Sequence, residues 1–75
     1  MACVKPDGSL TRIGRAVLSA LGELGSEEAV SQALGLPLYR VRLVARALGD
    51  KGLVERGDRG FRVTALGADK LRQTA

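Results

Sequence analysis

The side chains best equipped for chemistry in this chain are arginines, and they cluster. Arg40, Arg42 and Arg46 fall in one short segment beside Tyr39. Residues 37–51 hold these arginines and Lys51 against Asp50, a net +3, whereas residues 23–35 hold Glu23, Glu27 and Glu28, a net −3. A guanidinium is a planar fork of N–H donors that matches phosphate oxygens and guanine edges, so a concentration of them suits a polyanionic partner. Positions 42 and 46 lie one helical turn apart, which puts both forks on one side of a helix.

Other chemistries find little material. The chain has no histidine, which removes Ser-His-Asp and Cys-His catalysis together with the usual zinc and haem ligands. Cys3 is the single cysteine. It has no internal disulfide partner or resolving thiol, and reads as an incidental thiol. Glu27 and Glu28 are adjacent, and neighbours on a helix do not face each other, so they read as helix-start residues rather than an acid/base pair. No cofactor and no enzymatic activity are expected.

Something must hold the arginines outward, and 75 residues allow one domain with one core. Apolar types at 45% and charged types at 27% are ordinary for a globular chain. A domain this small buries only about 60% of its unfolded surface, so regular helices or a partner subunit must support it. The balance of 12 Lys+Arg against 8 Asp+Glu gives a net +4, with nine of the cations being arginine. No apolar run reaches the roughly 18 residues of a membrane span, and residues 1–10 lack the pattern of a signal peptide. The expectation is a soluble, cytoplasmic protein without membrane contact.

Residues 1–9 contain the turn signal Pro6-Asp7-Gly8 and read as a flexible lead-in to a domain over 10–75. From Leu10 the period is helical. Leu10, Ile13, Val17, Ala20, Leu21 and Leu24 share one arc, Arg12 and Arg15 lie opposite as a wetted or backbone-contacting face, Ser9 or Thr11 caps the start and Gly25 ends it. Ser26 with Glu27 and Glu28 opens a short second helix whose apolar positions are Ala29, Val30, Ala33 and Leu34, stopped by Gly35-Leu36-Pro37. A third helix follows to about Asp50, closed by Lys51 and a left-handed Gly52. Val41, Val44, Ala45 and Leu48 form its core series, with Tyr39, Arg42, Leu43 and Arg46 opposite. The period then changes to two. Residues 53–56 and 61–64 read as strands of a β-hairpin joined by the four-residue turn Gly57-Asp58-Arg59-Gly60, with Phe61 and Val63 on one face and Arg62 on the other. Thr64 caps a last helix to about Gln73, in which Leu66 and Leu71 point inward.

Read with its residues, this order resembles the winged helix-turn-helix family over roughly Leu10 to Leu71. The family's central unit has a small residue at the helix crossing, a glycine four later and a β-branched core residue six beyond; here these are Ser31, Gly35 and Val41. Val30, Leu34, Leu36 and Val44 complete the apolar pattern. The segment Leu48-Gly49-Asp50-Lys51-Gly52-Leu53-Val54-Glu55-Arg56 is similar to the family's run from recognition helix into wing. Phe61-Arg62-Val63-Thr64-Ala65-Leu66-Gly67 is similar to its return strand and following Thr-x-x-Gly helix start. Two departures stand out: Ser31 where alanine is commoner, and Leu38 and Leu43 where polar residues are common.

The resemblance implies an α+β, mainly α, fold: a three-helix core, a two-stranded β-hairpin wing and a short C-terminal helix. It implies double-stranded DNA as partner, in a small prokaryotic transcription regulator, with the third helix in the major groove and the wing on the flanking backbone. Tyr39, Arg40, Arg42, Leu43, Arg46, Arg59 and Arg62 become the DNA-binding candidates. Arg42 and Arg46 could equally be solvated surface residues, Tyr39 a cover for the core edge, and Arg59 a solubilising turn tip. One module of this size offers a small interface, so operator-level affinity calls for a homodimer, paired through the first and last helices. The alternative is a protein partner docking on Leu38, Tyr39 and Leu43, since winged helices are reused in that way.

Overall fold

Each helix begins and ends on the residues that the chain's hydrogen-bonding chemistry favours there. The computed structural model describes residues 10–58 and 60–73; the lead-in with Cys3, and Arg59, lie outside them. Thr11 Oγ1 accepts from the Gly14 N–H at 3.1 Å to start α1 (Arg12–Leu24), and Gly25, at φ 78°, ends it. Ser26 Oγ accepts from the Ala29 N–H at 3.1 Å and opens α2 (Glu27–Leu34), with both glutamates in the first turn. Pro37 precedes α3 (Leu38–Asp50), and its carbonyl accepts from Arg40 and Val41. Gly52 is left-handed at φ 74°, as its position after Lys51 predicts.

The hydroxyl of Ser31 gives the first departure from the family pattern a use. It donates to the Leu36 carbonyl at 2.6 Å, while the Leu36 N–H returns to the Ser31 carbonyl at 3.2 Å. Alanine could fill the crossing but could not tie the α2–α3 turn.

Four helices and one antiparallel pair of strands make an α+β, mainly helical fold. The core joins Val17, Leu18 and Leu21 of α1, Val30 of α2, and Val41, Val44, Ala45 and Leu48 of α3 with Leu10, Leu53 and Val54. The whole inner series expected for α3 is buried. In α1 the expected arc is displaced: Leu18, outside it, is fully buried, and Leu24, inside it, is 46% exposed. The reason is that α1 touches α2 and α3 as well as the hairpin and the last helix, so it buries more than one stripe. In α2 only Val30 is buried; Ala33 and Leu34 face out.

The hairpin consists of β1 (Val54–Gly57) and β2 (Gly60–Val63), with Val54 opposite Val63 and Gly57 opposite Gly60. The two glycines are therefore the last paired residues, and the loop shrinks from the expected four residues to Asp58 and Arg59. Beyond the hairpin partner, the Phe61 N–H donates to the Gly25 carbonyl at 2.9 Å, docking β2 on the α1–α2 link. Gly60 permits this approach: it has φ 113°, and any Cβ there would run into the Gly25 carbonyl.

The last helix, α4 (Ala65–Arg72), starts on Thr64. Leu71 packs on the core, but Leu66 is 48% exposed, contrary to the inward position expected of it. Gly67 is the buried residue of that turn, and Leu66, about 100° round the helix from it, faces away. Arg15 is also not on a free face. Its guanidinium donates to the carbonyls of Leu71 at 2.8 Å and Gln73 at 2.5 Å, closing the C-terminal end of α4 where a cation meets the negative end of the helix. Replacing Arg15 with methionine, which keeps the apolar stem, should speed amide exchange at the end of α4 and cost about 1 kcal/mol. An exchange profile unchanged over residues 70–73 would remove that role. Among the described residues no helix is long and apolar enough to cross a membrane.

Candidate nucleic-acid interface

Burying Val41, Val44, Ala45 and Leu48 leaves α3 no choice about its opposite side. Tyr39 is 68% exposed, Leu43 64%, and Arg42 and Arg46 are exposed as well. Tyr39 with Leu43, and Arg42 with Arg46, are each one turn apart, so the face interleaves two apolar and two cationic groups. Arg40 and Leu38 do not share it fully. Each lies roughly a quarter-turn from the buried centre line, and both are half-buried at the flanks.

Arg42 is not surrounded by water alone. Its Nε lies 3.8 Å from Glu27 Oε1, and its Nη2 lies 3.9 Å from Glu28 Oε2. These distances exceed a hydrogen bond and define an exposed ion pair, worth at most about 1 kcal/mol. The sequence assigns the two glutamates only to helix initiation, and their negative segment looks separate from the positive one. The crossing of α2 on α3 puts the carboxylates against the arginine, a contact that no spacing along the chain announces. Among the described residues Arg46 has no carboxylate at ion-pair distance.

The hairpin contributes differently from expectation. Arg62 Nε donates to Glu55 Oε1 at 2.7 Å, directly across the strand pair, so this candidate already spends its charge on the hairpin's outer face. Arg56 pairs with Phe61 and lies over its ring at 5.1 Å, a cation–π arrangement on the face toward α3. It was not among the candidates, although the alternation that puts Phe61 inward carries Arg56 with it once the register is known. An open groove of about 580 Å³ runs between α3 and the hairpin, lined by Arg42, Arg46 and Arg56 and also by Glu27, Asp50 and Glu55. Its charges balance. The cationic excess belongs to the outer face of α3.

The arrangement can hold an anionic surface through several guanidinium forks without forming a covalent bond. Among the described residues no three His, Cys, Asp or Glu side chains gather where a metal could sit. No family model, curated protein or solved structure matches the chain.

Proposed function

We propose that this chain is a winged helix-turn-helix domain that binds double-stranded DNA, with α3 in the major groove and the β1–β2 hairpin on the flanking backbone. The observation that carries the reading is the outward pair Arg42 and Arg46, one turn apart on the helix that follows the α2–α3 turn. Support for the fold comes from three helices around one core with a hairpin after the third. Phosphate contacts by arginines supply affinity, and forks on base edges supply preference. In this reading the protein is a small transcription regulator acting in a prokaryotic cytoplasm. It dimerises on two half-sites through α1 and α4, where Leu24 and Leu66 remain exposed. Sedimentation as a monomer at high concentration would remove the dimer.

Titration with a mixed duplex, followed against salt, tests the proposal. The logarithm of the binding constant should fall linearly with that of salt, by about 0.9 for each phosphate neutralised. Amide shifts should gather on residues 38–46 and the hairpin. A second reading has its own observation: Tyr39 and Leu43 are the most exposed large apolar side chains among the described residues. That suits an anchor for a protein partner, with half-buried Leu38 at its edge. Such a contact would barely respond to salt, and Leu43→Asp would abolish it.

A further inference from the structure

We infer that Glu27 and Glu28 act as positioning residues that divide the work of the two α3 arginines, making Arg42 the base-reading side chain and leaving Arg46 as a phosphate contact. This rests on the duplex-binding reading. The two guanidinia occupy equivalent places on successive turns, yet their surroundings differ. Arg42 has Glu27 Oε1 3.8 Å from Nε and Glu28 Oε2 3.9 Å from Nη2, and neither contact engages Nη1. Arg46 has no such neighbour among the described residues.

Glu27 can act as a fixed point. Its side chain is only 14% exposed, on the first turn of a helix that the Ser26 cap locks in place. A guanidinium flanked on its Nε edge has lost rotamer freedom before any ligand arrives, so less ordering cost remains for the contact. That matters for a base edge, which must be met in one orientation. It matters little for a phosphate, which accepts donors from many directions.

The carboxylates also act on the background. A duplex backbone nearing this end of α3 meets two negative charges whatever its sequence, so non-specific contact weakens while a correctly placed guanine still finds its fork. Selectivity then comes from repulsion as well as attraction. Arg46, one turn away and unflanked, adds charge without discrimination.

The test enriches a randomised duplex library on the full chain, then measures binding to the enriched duplex and to a scrambled one. Arg42→Ala should narrow the enriched-to-scrambled ratio about tenfold. Arg46→Ala should weaken both duplexes alike and lower the salt slope by about 0.9. The pair Glu27→Gln and Glu28→Gln should tighten scrambled binding and narrow the ratio by up to about fivefold. That last effect should vanish when Arg42 is already alanine, because coupled residues are not additive.

Equal losses on both duplexes from Arg42→Ala would overturn the division of labour while duplex binding stood. So would a glutamine effect that persists without Arg42. Failure of the chain to enrich any duplex would instead remove the duplex-binding reading, and this inference with it. A readout without DNA separates the cases further: the Arg42 Nε–Hε resonance should shift and exchange faster in Glu27→Gln. An unchanged resonance in that variant, with its melting curve intact, overturns the positioning role.

Discussion

Replacing Gly67 with alanine is expected to unfold a large fraction of this domain at ambient temperature, against the ordinary preference of helices for alanine over glycine. In an unconstrained helix that exchange gains about 1 kcal/mol. Here a methyl group at position 67 would collide with the Leu53 carbonyl and come within 2.8 Å of Val63 Cγ1. Neither can step aside cheaply, because one is backbone and the other is packed on the core. The Gly67 N–H bonds Thr64 Oγ1 at 3.1 Å, and that hydroxyl donates to the Gly52 carbonyl at 2.6 Å. The Thr64 N–H also donates to the Leu53 carbonyl at 3.1 Å. Lifting α4 to admit a methyl would break this knot of bonds between the end of α3, the hairpin and α4.

Overpacking costs about 1–3 kcal/mol and each lost hydrogen bond about 1, so the loss should exceed about 3 kcal/mol. A domain of this length holds only about 4–11 kcal/mol in all. The melting temperature should therefore fall by more than about 12 °C. Leu66→Ala, one residue earlier and exposed, should move it by no more than a few degrees. Circular dichroism melts of both variants decide the matter. A Gly67→Ala protein as stable as the parent would mean that α4 does not pack this closely on Leu53.

The second large effect concerns function. Arg42→Ala combined with Arg46→Ala should weaken duplex binding by at least about thirtyfold, taking each fork at the low end of about 1–3 kcal/mol. Folding should barely change. Both side chains are exposed, and the only intramolecular partners lost are the two distant carboxylates of α2. The salt slope should shrink with the affinity, as ion release does when phosphate contacts go. Fluorescence anisotropy on a labelled duplex at several salt concentrations measures both. Affinity retained within about threefold would end the DNA reading and leave the apolar pair Tyr39 and Leu43 as the better candidate for a docking surface.

Local chemistry made most of the element list readable. Thr11, Ser26 and Thr64 each cap the helix that follows them, and Gly25, Gly35 and Gly52 each take the left-handed conformation where the chain turns. Amphipathic spacing placed the inner and outer faces of α3 correctly, because that helix buries one stripe against one core. The same reasoning misplaced Leu18 and Leu24 because α1 is covered from several sides, and a single arc cannot describe a helix that meets four neighbours. Leu66 failed for a related reason: the inward position in that turn is taken by Gly67, whose missing side chain leaves no hydrophobic signal to count.

The order of elements, the caps, and which arginines α3 turns outward were settled by the chain itself, since each depends on residues within a few positions of one another. Tertiary packing alone decided what those charges meet. It set Glu27 and Glu28 against Arg42, put Arg15 on the end of α4, turned Arg62 toward Glu55 and laid Arg56 over Phe61. Ion pairs between helices and across strands follow from crossing angles and register, which arise only when the apolar faces close on one core.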